Sequence, residues 1–223
     1  METISFDHLT GRSENHLEKL GRHLMHPLVV KAWREMQSKA LKDEGIELKL
    51  VSSFRNFERQ QIIWNEKASG KRKILNDEGI EIDISKLEET EIAAAILRFS
   101  ALPGASRHHW GTDIDVYDAK IKTKEEVQLT VEESLSEFSK LNKWLDSHME
   151  EFGFYRPYSQ DRGGVSQEPW HLSYFPVSNL YFEQYTFDIF KENIQRSQIN
   201  LKDLVLSDLK NIFEKYVVNI EIR

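Results

Sequence analysis

Residues 111–118, GTDIDVYD, alternate with the two-residue period of a β-strand. A strand here turns Thr112, Ile114 and Val116 to one face and Asp113 and Asp115 to the other. One face can enter a core while the other presents two carboxylates. Just upstream, SRHHW (106–110) adds two adjacent histidines, and Gly111 lets the backbone bend or approach closely. This concentration of ligating groups fits part of a metal site. It also fits hydrogen-bonding groups in a loop or core, the commoner fate of histidines near aspartates.

Helical patterns surround the strand. Pro27–Glu44 opens with proline in its first turn, repeats Leu28, Val29, Ala32, Trp33, Met36 and Ala40 at helical spacing, and ends at Gly45. Further helices are predicted over 56–67, 85–102, 131–151, Phe187–Arg196 and 201–216. IELKLVSS (46–53) alternates as a strand. EPWHLSYF (168–175) reads as another, with Pro169 placing it at a sheet edge or a bulge. Residues 1–25 are polar and read as irregular. A few scattered strands among many helices indicate an α+β fold rather than a doubly wound parallel sheet. No repeat or low-complexity linker divides the 223 residues, which suffice for one domain with a substantial core.

Composition removes several function classes. A net charge of −7 without a Lys/Arg-rich face argues against a nucleic-acid partner. The absence of cysteine excludes disulfides, thiolate metal sites and cysteine nucleophiles. No apolar run approaches a membrane span, and METISFDHLTGRSENH lacks the basic and apolar regions of a signal peptide. A cytoplasmic monomer is the expectation, or a protein of the cell envelope if a leader has been trimmed.

Three stretches carry candidate chemistry. His108 and Asp115, joined by the distant His171, make a suitable three-ligand set for zinc with a fourth position left for water. Glu168, three residues before His171, could serve as a non-ligating base if Pro169 bends the chain; otherwise it is a surface glutamate beside a packed Trp170. Arg55 stands where a strand gives way to a helix and could hold a carboxylate through two parallel hydrogen bonds, or simply face solvent. Trp33, Trp64 and Trp110 read as core aromatics. Leu201, Val205, Leu209, Ile212 and Tyr216 form an apolar stripe suited to packing onto the domain.

Together these stretches resemble the VanY-type zinc D-Ala-D-Ala carboxypeptidases, which share their fold with the hedgehog signalling domain. Ser52, Phe54, Arg55 and Gln60 match one family motif; Ser106, His108, Gly111 and Asp115 match a second; Glu168, Trp170 and His171 match a third, all in the family's order. The resemblance implies a small antiparallel sheet flanked by helices over 26–180, with a C-terminal helical extension over 181–223 packed on it. It implies zinc held by His108, Asp115 and His171, with Glu168 as catalytic base. Arg55, Ser106 and Gln60 would contact substrate, and Trp170 would pack beneath the site. The family often has a small residue where Asp113 stands. That carboxylate could support a ligating histidine, contact Arg55, or replace Asp115 as a ligand. His109 is left open by the motif and reads as a loop residue or a substrate-side wall. The implied activity removes a C-terminal D-alanine from peptidoglycan stem peptides. A cross-link endopeptidase and a non-catalytic zinc- or wall-binding module are the rivals.

Overall fold

Residues 4–77 and 79–223 are described in a computed structural model. The chain begins with a one-turn helix α1 (Phe6–Leu9) and a hairpin of β1 (Glu18–Leu20) and β2 (His23–Met25), then enters α2 (Pro27–Glu44). Strand β3 (Leu48–Ser52), α3 (Phe57–Ala68), α4 (Glu89–Leu97) and β4 (Asp113–Asp118) follow. The second half runs through α5 (Val131–Leu135), α6 (Ser139–His148), β5 (Phe154–Tyr155) and β6 (His171–Tyr174). Four helices close the chain: α7 (Phe175–Gln184), α8 (Phe187–Arg196), α9 (Lys202–Ser207) and α10 (Leu209–Ile212). The fold is α+β, with a four-stranded antiparallel sheet ordered β3-β4-β6-β5.

Local chemistry explains the elements flanking the site. Pro27 occupies the first turn of α2, where its missing N–H is no loss, and Gly45 ends the helix at φ +67°. Asn56 caps α3 by accepting from Arg59 N at 2.9 Å, which fixes where β3 turns into the helix. One face of the sheet, through Leu48, Ile114, Val116 and Leu172, packs against Val30, Trp33 and Met36 of α2. Each fully buried side chain of that size contributes about 1.5–3 kcal/mol. A second core joins Trp64, Ile96, Trp110 and Tyr181 to Phe190, Ile194, Val205, Leu209 and Ile212, so the terminal helices are built into the body of the protein.

Several expected elements differ. The segment 1–25 is not irregular: within its described residues 4–25, Ser5 and His8 cap α1 reciprocally and Gly21 at φ +60° turns the hairpin; residues 1–3 lie outside the described residues. The helix expected over 85–102 is shorter, because the capping box of Glu88 and Glu91 starts α4 later. The helix expected over 131–151 breaks after α5, where Ser136 leaves helical geometry and its Oγ binds Glu132 O at 2.7 Å. The stripe over 201–216 is divided among α9, α10 and a wider turn at Phe213–Val217. Strand β6 lies inside the sheet between β4 and β5 rather than at an edge, because Pro169 sits in a turn before the strand begins. Helix α7 and strand β5 were not anticipated.

Candidate metal centre

Antiparallel register sets Asp115 opposite His171 and Asp113 opposite Ser173. Direct cross-strand partners share a sheet face, so these four side chains meet on the side away from Ile114 and Leu172. His108 reaches the same place from the helical turn Arg107–Trp110, which ends at Gly111 with φ +68°. The positive φ favours glycine at 111, and a Cβ there would lie 2.4 Å from Leu17 Cδ2, so the leucine would have to shift.

The ligand atoms of His108, Asp115 and His171 all lie within 4.8 Å of one another. His108 Nε2 is 3.2 Å from Asp115 Oδ2, and His171 Nδ1 is 3.1 Å from Asp115 Oδ1. Ligands on a tetrahedral zinc are separated by roughly 3.3 Å, given metal–ligand distances of about 2.0–2.1 Å. Asp115 Oδ1 is buried and makes no hydrogen bond, which leaves an acceptor free to bind a cation. The other nitrogens of the two rings are engaged: His108 Nδ1 lies 3.2 Å from Asp113 O, and His171 Nε2 lies 2.9 Å from Asp113 Oδ1. Such bonds fix ring orientation and turn the remaining nitrogen toward a metal. The residues present therefore fit a zinc ion.

Asp113 is wholly buried, and both its oxygens are occupied. Oδ1 accepts from Arg107 Nε at 2.7 Å and from His171, while Oδ2 accepts from Thr112 Oγ1 at 2.6 Å and Ser173 Oγ at 3.1 Å. Burial alone would raise the pKa of Asp113, but Arg107 and His171 outweigh it and hold the carboxyl well below the usual range. Burial likewise disfavours the His171 cation, yet Asp113 and Asp115 lift its pKa to about 10. Asp113 thus supports a candidate ligand and pairs with Arg107, not with Arg55.

Glu168 meets His171 because Glu168-Pro169-Trp170-His171 is a tight turn, closed by His171 N donating to Glu168 O at 3.1 Å. Proline at the second position of such a turn has the φ it needs. Glu168 Oε2 lies 3.4 Å from His171 Nδ1, and burial, aided by Asp115, raises the Glu168 pKa to about 7 against His171 and Arg55. A carboxylate with that pKa can accept and return a proton near neutrality.

His108, Asp115, His171 and Glu168 line a cleft of about 380 Å³, together with Arg55, Ser106, Trp170 and Tyr158. Arg55 donates to Gln60 Oε1 at 2.9 Å and Ser52 Oγ at 3.3 Å, with its backbone N–H on His108 O at 3.1 Å. Gln60 is fully buried and spends its amide on Ala101 O at 2.6 Å, so it braces Arg55 and does not border the cleft. The expectation that Gln60 contacts substrate does not fit this position. His109 is neither loop residue nor cleft wall. It is fully buried, its Nδ1 bonding Arg55 O at 2.5 Å and its Nε2 accepting from Gly104 N at 3.0 Å. Burial draws its pKa down to about 3.

Sequence reasoning missed Arg107, Tyr158 and Lys67. Arg107 lies inside a motif whose pattern leaves its position open. Tyr158 sets its ring edge-on to His171 at 5.1 Å, from a loop with no periodic signal. Lys67 was covered by the helical pattern alone.

The family model described as "VanY: D-alanyl-D-alanine carboxypeptidase" matches residues 22–177. An uncharacterised protein of Haemophilus influenzae is 32% identical over 123 residues, covering 52% of this chain and 93% of that protein. A D-alanyl-D-alanine carboxypeptidase of Enterococcus faecalis is 29% identical over 142 residues, covering 62% of this chain but only 44% of that protein. Among solved structures, VanYB in complex with D-alanine-D-alanine is similar in fold, with TM-score 0.53 and 22% identity, covering 82% of this chain and 89% of that one. A zinc complex of a vancomycin-resistance VanY D,D-pentapeptidase variant gives TM-score 0.52 and 24% identity, covering 74% of this chain and 83% of that one.

Proposed function

Because the chain belongs to the VanY family of D-alanyl-D-alanine carboxypeptidases, we propose that its cleft removes a C-terminal D-alanine from peptidoglycan stem peptides. It is a zinc-dependent hydrolase, and the ion is assigned to His108, Asp115 and His171. The observation that carries this reading is the buried convergence of these ligand atoms within 4.8 Å, beside a carboxylate that belongs to none of them.

Zinc bound there supplies a Lewis acid, polarising a carbonyl and acidifying a water. Glu168 takes the proton from the attacking water and returns it to the departing amine, and its pKa of about 7 suits both transfers. Arg55 holds the terminal carboxylate of the peptide, which positions the last peptide bond against Glu168. Gln60 and Ser52 keep the guanidinium pointed into the cleft. Ser106 and Trp170 shape the wall on which the peptide lies.

Digestion of purified stem peptides, with the released residue identified by mass spectrometry, tests this function. Free D-alanine is expected from zinc-loaded protein and none from the Glu168→Gln variant. Opening of intact cross-links without release of terminal D-alanine would instead make the protein an endopeptidase.

A further inference from the structure

Five lysine and arginine side chains line the cleft: Arg55, Lys67, Arg72, Lys73 and Arg107. Three are neutralised within the protein. Arg72 pairs with Glu66 at 2.8 Å, Lys73 with Glu81 at 2.6 Å and Arg107 with Asp113 at 2.7 Å. Arg55 and Lys67 have no carboxylate partner among the described residues. Arg55 rests on Ser52 and Gln60, and Lys67 Nζ donates to Ser100 Oγ at 2.7 Å. A terminal carboxylate on the peptide answers the charge of Arg55 and leaves Lys67 unanswered.

The two cations are rooted at opposite ends of α3. Arg55 precedes α3 and Lys67 lies in its last turn, a span of about 15 Å along the axis at 1.5 Å per residue. A lysine placed only to favour the helix C-terminus could extend into water beside the last carbonyls. Lys67 instead bends across to Ser100, which follows α4, and stays half-buried on the cleft wall. Burial, with Arg72 and Arg55 nearby, outweighs the more distant pull of Glu168 and draws its pKa down to about 8, so it is charged at neutral pH in a setting that a closer anion would relieve.

We propose that Lys67 anchors a second carboxylate of the substrate, so that the cleft selects peptides bearing a free internal carboxylate besides the C-terminal one. This subsite rests on the peptidase reading above and deepens it. The substrate class is a stem peptide with an unamidated acidic residue, whether a diamino-dicarboxylic residue or a γ-linked glutamate. Its carboxylate would replace Ser100 Oγ as the acceptor for Nζ. A charge-assisted hydrogen bond of this kind corresponds to about 10- to 150-fold in kcat/KM.

The test uses zinc-loaded protein and matched pairs of D-alanyl-D-alanine peptides. In one pair the side-chain carboxylate of diaminopimelate is free or amidated; in the other, the α-carboxylate of γ-linked D-glutamate is varied in the same way. Wild-type protein is expected to favour the free member of one pair by at least tenfold. Lys67→Met should bring that ratio close to one, with the loss falling on the free member, and Lys67→Arg should keep the preference. Equal cleavage within both pairs by wild type overturns the proposal, as does an equal loss on both members in Lys67→Met, which would mark a structural lysine. If no peptide is cleaved, the peptidase reading fails by itself, and binding of the same peptides, followed by tryptophan fluorescence, decides the subsite. A free-over-amide preference lost in Lys67→Met supports it; no preference refutes it.

Discussion

Replacing Asp113 with asparagine should damage the protein twice, and the two effects can be measured apart. Four donors converge on the Asp113 carboxylate, two on each oxygen. Asparagine keeps one acceptor oxygen and turns an NH₂ against the other two donors. Arg107, only 4% exposed in its side chain, loses its counter-charge. Breaking a buried ion pair by removing one partner costs about 3–5 kcal/mol. For a chain of this size each kcal/mol lowers Tm by about 2–4 °C, so the zinc-free variant should melt about 6–20 °C below wild type. Separately, His171 loses the acceptor that holds its Nε2–H and fixes its ring, a change that lowers metal affinity by about 10- to 100-fold. Calorimetric melting in the presence of chelator reads the first effect, and zinc competition against a chromophoric chelator reads the second. Unchanged affinity in a folded Asp113→Asn protein would refute the orienting role. Complete loss of zinc in Asp113→Asn, with full retention in Asp115→Asn, would show that the wrong aspartate has been assigned to the metal.

Other perturbations separate the remaining roles. Glu168→Gln should retain stoichiometric zinc while losing hydrolysis by several orders of magnitude, measured by metal analysis and D-alanine release; a zinc-free variant would make Glu168 a ligand. Arg55→Ala should cost about 2–5 kcal/mol on peptides with a free C-terminus and much less on their C-terminal amides, measured as the ratio of kcat/KM values. His108→Ala should abolish zinc binding, whereas His109→Ala should keep it and lose about 2–6 kcal/mol of stability, because Gly104 N–H and Arg55 C=O are each left unpaired. His109 also gives a pH signature. Its folded pKa of about 3 lies below the ordinary histidine value of about 6.5, so its contribution is complete above pH 6.5 and declines as pH falls toward 3. Urea midpoints of zinc-free wild type should therefore fall more steeply than those of His109→Ala between pH 6.5 and pH 3; parallel slopes would count against a neutral His109.

What could be read from the sequence was what depends on near neighbours. The alternation of residues 113–118 placed Asp113 and Asp115 on one face without knowledge of the rest of the fold. Pro27, Gly45 and the helical period between them bounded α2 in the same way. His171 is different: its residue type and extended surroundings offered it as a third ligand, but its position opposite Asp115 is a matter of strand register across more than fifty residues, which no local pattern carries. Gln60 was misread because its spacing from Arg55 suits either a substrate contact or a brace, and the choice follows from Ala101 O, which captures its amide. The environment of His109 depends on Gly104 and on Gly11, where a Cβ would lie 2.3 Å from the ring. The break between α5 and α6 carries no glycine or proline. There Glu133 is recruited by Lys122 Nζ and by the backbone N–H groups of Gln128 and Leu129, and such contacts leave no local pattern.

The same neighbours explain how two aspartates on one strand face come to differ. Alternation makes Asp113 and Asp115 equivalent, and either could be offered to a metal. Arg107, Thr112 and Ser173 then surround Asp113 and, together with His171, use both its oxygens. Among the described residues Asp115 is approached only by the two imidazoles, His108 Nε2 at 3.2 Å and His171 Nδ1 at 3.1 Å, and its Oδ1 makes no hydrogen bond. A buried carboxylate oxygen without a donor is costly unless something else supplies the charge. A dication between His108 and His171 would supply it, and at Asp113 the guanidinium of Arg107 already does. The arginine inside the SRHHW motif therefore separates the two acids, committing Asp113 to holding the histidine and leaving Asp115 available to a metal.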